Sequence, residues 1–125
     1  MAGKGGNDWV TKRVPFGAGQ EIFREGQPPR DAYLIERGRV EVSRVIQGEK
    51  VVLGYKEVGD VLGEMALIDN QPRMATATAV EPTVCVLITA SMFQEHMNRA
   101  TPLLRKLLVT FTKNLRDMAD RQRPH

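Results

Sequence analysis

Residues 63–79 read GEMALIDNQPRMATATA, and the first six of them, Gly63-Glu64-Met65-Ala66-Leu67-Ile68, break the rhythm of their surroundings. They are good helix formers with no β-branched residue before Ile68. Two turn signals enclose them, Gly59-Asp60 and Asp69-Asn70-Gln71-Pro72. A single helical turn in that place leaves backbone N–H groups free at its start, a ready site for an anion. Arg73 follows the proline-fixed turn and precedes a β-prone run, so its guanidinium can be aimed back at the short helix. The planar fork of arginine bonds two phosphate oxygens together, which lysine cannot do. Glu64 would repel an anion. Its presence makes sense if the carboxylate accepts a hydrogen bond from a sugar hydroxyl and also steadies the arginine.

Outward from this stretch the pattern is short strands cut by turn residues. Ala32–Arg37 and 39–45 are the clearest, joined through Gly38. In the second, Val40 and Val42 alternate with Arg39, Glu41 and Ser43. Gln47-Gly48-Glu49 turns the chain into 51–58, and Glu81-Pro82 separates strands at 76–80 and 83–89. Weaker strands are expected at 14–16 and 21–24. Gly26, Gly38, Gly54 and Gly59 read as turn or positive-φ positions. After Thr89 the period changes to about 3.6. Ala90–Arg99 reads as a short helix, and Thr101-Pro102 starts a longer one that ends by Arg123-Pro124. Leu104, Leu108, Phe111, Leu115 and Met118 form an apolar stripe along it, which is expected to lie against the domain's own core, with pairing to a second copy as the alternative. The pattern is thus an all-β roll or sandwich (about 11–89) followed by two helices, at about 90–99 and 102–121.

The 125 residues suffice for one domain, 11–123, after a glycine-rich segment, 1–10, expected to be flexible, with Trp9 anchoring it. Aromatic residues are only 6%, so the core must rest on Val, Leu, Ile, Ala and Met. No apolar run approaches the about 18 residues that span a bilayer, and no secretory signal is visible. The lone Cys85 excludes an internal disulfide, reads as a buried small hydrophobe and favours a reducing, cytoplasmic setting. His96 and His125 are isolated, so no metal site is expected. The net charge of +3 is mild, with Lys12, Arg13, Arg121 and Arg123 read as solvated surface, and no basic cluster marks direct DNA binding. No nucleophile–base pair or paired carboxylates stand out, which excludes an enzyme from the expectation.

GEMALIDNQPRMATATA resembles the phosphate-binding cassette of cyclic-nucleotide-binding domains, as found in catabolite activator proteins, cyclic-nucleotide-dependent kinases and gated channels. It meets every fixed position of G-E-(L/M)-A-L-(I/L)-x-x-x-P-R-x-A. The upstream stretch 19–42, GQEIFREGQPPRDAYLIERGRVEV, is similar to the family's glycine frame, and the likeness covers about 14–89 plus the two helices. It implies a mainly β fold with C-terminal helices: an antiparallel, double-stranded jelly-roll-like β-roll with a short phosphate-binding helix. It also implies that Arg73 pairs with a cyclic phosphate and Glu64 with the ribose 2′-hydroxyl. The amides of Ala66 and Met74 would point at phosphate oxygens, and Gly63 would admit the sugar, with Met65 and Ala75 completing the ligand-binding set. Val52, Leu53, Val61 and Leu62 would wall the base, and Leu108 or Phe111 on a movable final helix would cover it. Two departures stand out. Arg30 occupies the usual Asp position, with Asp31 one place later read as a turn or capping residue, and Leu62 replaces a common Phe. Met74 lacks the hydroxyl that a threonine offers guanine in cGMP-selective relatives, so cAMP is expected over cGMP. The function implied is a ligand sensor of bacterial type, with Met1 and the charged end favouring a stand-alone protein. The alternatives are the sensor half of a larger transcription factor or channel, and a β-roll interaction module that binds no nucleotide.

Overall fold

A computed structural model describes residues 12–121. The segment 1–10 with Trp9, the helix stop at Arg123-Pro124 and His125 lie outside the described residues. The chain forms β1 (Arg13–Phe16), β2 (Glu21–Phe23), β3 (Ala32–Arg37), β4 (Arg39–Ile46), β5 (Glu49–Glu57), β6 (Val61–Leu62), α1 (Glu64–Asp69), β7 (Thr76–Ala79), β8 (Thr83–Ile88), α2 (Ala90–Arg99) and α3 (Pro102–Arg121). The strands make two four-stranded antiparallel sheets, ordered β1-β8-β3-β6 and β2-β7-β4-β5. This is an antiparallel β-roll, mainly β with C-terminal helices.

The core lies between the sheets and is built from small and aliphatic residues, as the low aromatic content requires. Ile35, Val40, Ala77, Ala79, Cys85 and Val86 are at most 1% exposed. Burying a side chain such as Ile35 or Val40 contributes about 1.5–3 kcal/mol. In Thr76-Ala77-Thr78-Ala79 the alanines point inward and the threonines are only half-buried, the alternation that a one-sided strand demands. Cys85 is fully buried and its thiol is pushed up to about 11 by that burial, so it packs as a hydrophobe.

The β4–β5 hairpin closes on Gln47 (φ 54) and Gly48 (φ 79) between paired Ile46 and Glu49. Two consecutive positive-φ residues form the turn whose twist matches the strands. Further along, Val42 faces Gly54 while Ser43 faces Val52, so Leu53 is an extra residue on β5. This bulge shifts the register of β5 against β4. On β4 itself Val40 and Arg44 are buried and Val42 and Ile46 half-buried along one face, Val45 on the other face is exposed, and Ser43 is the outer position that is buried. Gly54 therefore sits inside a strand at this irregularity and not in a turn; among the four glycines read as turn positions, only Gly26, Gly38 and Gly59 have positive φ.

Both helix starts follow their capping signals. Thr89 accepts from the Met92 amide at 3.1 Å, and Thr101 from the Leu104 amide at 3.2 Å. The Asp31 carboxylate accepts from the Ala90 amide at 2.9 Å, which gives Asp31 the capping role expected of it. Apart from the half-buried Leu108, the apolar stripe of α3 does not lie against the core. Leu104, Phe111, Leu115 and Met118 are 49–59% exposed. The helix meets the roll through the adjoining face, where Thr112 is buried, Arg116 reaches Asp69, and Asp120 lies 3.4 Å from Arg44. Polar contacts orient α3 and leave the stripe turned outward. Among the described residues, no helix is long and apolar enough to cross a membrane.

Candidate functional site

A cavity of about 340 Å³ opens between β4, β5, β6, α1 and the start of β7. Gly63, Glu64, Met65, Ala66, Arg73, Met74 and Ala75 all line it, so the stretch singled out by the sequence faces one space. Of the residues expected to wall a base, Leu53, Val61 and Leu62 line the cavity. Val52, Leu108 and Phe111 do not. The bulge at Leu53 puts Val52 in register with Ser43, away from the cavity, where it is 43% exposed. Phe111 belongs to the outward stripe, and the α3 residue that reaches the cavity is Arg116.

Arg73 is the centre of the site. It is 5% exposed, and its guanidinium lies 4.2 Å over the Phe23 ring. Nη2 donates to the Asp31 carbonyl at 2.6 Å and Nη1 to the Gly63 carbonyl at 3.2 Å. Its backbone is tied to the upstream turn, its amide donating to the Gln27 carbonyl at 2.9 Å and its carbonyl accepting from the Gly26 amide at 2.8 Å. The glycine frame thus positions the arginine from behind. Burial lowers the Arg73 pKa, with Tyr33 and Asp31 opposing that shift, and a guanidinium stays charged at neutral pH regardless. Among the described residues no carboxylate closes an ion pair with it.

Gly63 caps α1 in the left-handed region (φ 79, ψ 9) with no side-chain cap on the helix start. A methyl group on Gly63 would run into the Arg73 guanidinium and come within 3.2 Å of the Phe23 ring. Only glycine both adopts this backbone without strain and lets the arginine lie against it. Glu64 does not steady Arg73, contrary to the expectation; two backbone carbonyls do. Its carboxyl is pushed up by desolvation, while Lys56 and the amides of Glu64 and Met65 pull it back down. It borders the cavity at the start of α1.

Several lining residues escaped the sequence reading: Phe23, Val42, Gly54, Tyr55, Lys56, Ala77 and Arg116. A signal existed for Phe23, which fills the aromatic position of the glycine frame. For Lys56 and Arg116 there was none, since only the packing of β5 and α3 brings them to the cavity.

A buried guanidinium with no carboxylate partner among the described residues, the start of α1, the Glu64 carboxylate and two further cations, Lys56 and Arg116, thus border one partly apolar cavity. Residues 13–100 match the family model described as cyclic nucleotide-binding domain. The chain belongs to that family. It is 34% identical over 91 residues to a cAMP-dependent protein kinase regulatory subunit of Hypocrea atroviridis, covering 73% of this chain and 19% of the relative. Among solved structures, the cAMP-bound form of the EAL enzyme Bd1971 superposes with a TM-score of 0.84 at 32% identity, covering 89% of this chain and 30% of that one. The catabolite activator protein of Thermus thermophilus superposes with a TM-score of 0.67 at 27% identity, over 89% of this chain and 49% of that one. The chain spans about a fifth of the length of the first curated relatives it matches.

Proposed function

We propose that this chain is a sensor that binds cAMP in preference to cGMP and converts occupancy into a change in the position of α3. The observation that carries the proposal is Arg73, a buried cation that faces a cavity and has no carboxylate partner among the described residues. A cyclic phosphate supplies one negative charge and two oxygens to that fork and to the start of α1. Gly63 admits the sugar, Glu64 accepts from the 2′-hydroxyl, and the amides of Ala66 and Met74 face the phosphate. Leu53, Val61 and Leu62 wall the base, with Met65 and Ala75 filling the remaining space. Met74 offers guanine no hydroxyl, which favours adenine. The chain acts as a binding domain, with no catalysis of its own and no direct contact to DNA, in the cytoplasm. The effector lies in a partner or in a longer protein, as the greater length of the relatives suggests. Relatives in which this type of domain accompanies an EAL enzyme or a kinase regulatory subunit fit that arrangement.

Calorimetric titration of nucleotide-stripped protein tests the proposal. One-to-one binding is expected with cAMP, weaker binding with cGMP, and a loss with 2′-deoxy-cAMP that shrinks in Glu64→Gln. Equal losses in both proteins would remove Glu64 from the ribose. Absence of binding to either nucleotide by folded protein would leave the β-roll as an interaction module.

A second reading concerns assembly. Leu104, Phe111, Leu115 and Met118 are spaced by seven, four and three residues on an exposed face of α3, the spacing of a two-stranded seam. A second copy packed along this helix would bury them in a two-fold dimer. Sedimentation equilibrium should give a concentration-dependent dimer that Leu115→Glu converts to monomer; a wild-type monomer at high concentration would refute the seam.

A further inference from the structure

We propose that Arg116 is the positioning residue through which the cassette loop and α3 move together. The inference rests on the sensor reading above and names the contact that would carry it. Two donors of Arg116 reach the Asp69 carboxylate, Nε to Oδ2 and Nη2 to Oδ1, the latter at 3.1 Å. Nη1 donates to the Pro72 carbonyl, also at 3.1 Å. Asp69 ends α1, and its Oδ1 accepts from the Gln71 amide at 3.1 Å. One guanidinium on α3 therefore grips both ends of the loop 69–72, and the next residue is Arg73. Arg116 also lines the cavity, so it borders the space that holds the ligand.

The surroundings make this grip decisive. The Arg116 and Asp69 side chains are only 16% and 14% exposed, so water screens the pair weakly. Apart from the half-buried Leu108, the apolar stripe of α3 points away from the roll. The neighbouring link, Arg44 to Asp120, is longer at 3.4 Å, and Asp120 is 70% exposed, which makes it the weaker tether. Any ligand that draws on Arg73 reshapes the loop and so changes the geometry offered to the Arg116 fork. By linkage, the factor by which the ligand favours one α3 position is the factor by which that position favours the ligand. A lysine keeps the charge but cannot bond two carboxylate oxygens and a carbonyl in one plane.

Hydrogen exchange of the full chain, read by mass spectrometry with and without saturating cAMP, tests this in wild type, Arg116→Lys and the isosteric Asp69→Asn. In wild type, cAMP should slow exchange across 112–120 on the order of tenfold. In both variants cAMP should still bind at saturation, with that slowing lost. Wild-type slowing in either variant would overturn the coupling. The ligand-free proteins keep the test independent of the sensor reading. There Arg116→Lys should speed exchange both at 69–73 and at 112–120, whereas Asp120→Asn should affect α3 alone. Acceleration confined to α3 in Arg116→Lys would overturn the coupling even if wild type bound no nucleotide, an outcome that by itself would refute only the sensor reading.

Discussion

Arg73→Lys is expected to weaken cAMP binding by roughly 30- to 1000-fold while leaving a folded domain. Hydrogen bonds to charged groups contribute about 1.5–3 kcal/mol each. Lysine retains the charge and one such bond to the phosphate, but it cannot span two oxygens. It also lacks the geometry to satisfy the Asp31 and Gly63 carbonyls together while stacking on Phe23. A loss of one to two charged bonds is about 2–4 kcal/mol, and each tenfold in affinity is about 1.4 kcal/mol. Arg73→Ala is the less informative variant. It strands two buried carbonyls and the Phe23 face, so it should also lower stability by about 1–3 kcal/mol. Calorimetry on the lysine variant, with urea unfolding alongside, separates the two effects. An affinity within twofold of wild type would remove Arg73 from the phosphate.

Gly63→Ala should damage both fold and binding. The left-handed backbone at φ 79 costs an alanine about 1–2 kcal/mol. The added methyl group also meets the Arg73 guanidinium, which the Asp31 carbonyl and the Phe23 ring hold in place. Either the arginine leaves its site or the start of α1 shifts, and both disturb the phosphate position. A fall in affinity of at least about tenfold is expected beside the stability loss, since displacing one charged hydrogen bond is enough for it. Gly48→Ala is the control. Its φ is also 79, but nothing lies within 4 Å of the added methyl group, so it should show the backbone cost alone. If the two variants lost equal stability, and Gly63→Ala bound cAMP as wild type does, the close packing of Gly63 against Arg73 would have no functional weight.

The elements whose signals are local were legible from the residues. The run 76–80 read as a strand and forms one over Thr76–Ala79, Gln47-Gly48-Glu49 read as a turn and closes a hairpin, and helices read at Ala90–Arg99 and from Thr101-Pro102 form there. Each depends on backbone preferences within a few residues, which a sequence carries directly. The cassette was legible as well, because its helix, turn and arginine are consecutive and fold back on one another.

What lay beyond reach depends on distance along the chain. Asp69 and Arg116 are 47 residues apart, and Arg44 and Asp120 are 76 apart. Periodicity announces that α3 is amphipathic, but it cannot say whether the apolar face meets the core, a second copy or solvent. That choice is made by ion pairs on the adjoining face, formed only once α1 and β4 are in place. The bulge at Leu53 is similar: one unpaired residue on β5 put Gly54 opposite Val42 and Val52 opposite Ser43, and left Leu53 on the cavity wall. The Asp31 carbonyl that grips Arg73 is invisible in any side-chain pattern, since every residue has a carbonyl and only the fold decides which one a guanidinium meets. The sequence alone determined most of the secondary elements, though not β6, together with the hairpin and the cassette, because their physics is short-ranged. The tertiary structure decided the face of α3, the wall of the cavity and the partners of Arg73, because these depend on groups that meet only after long stretches of chain have packed.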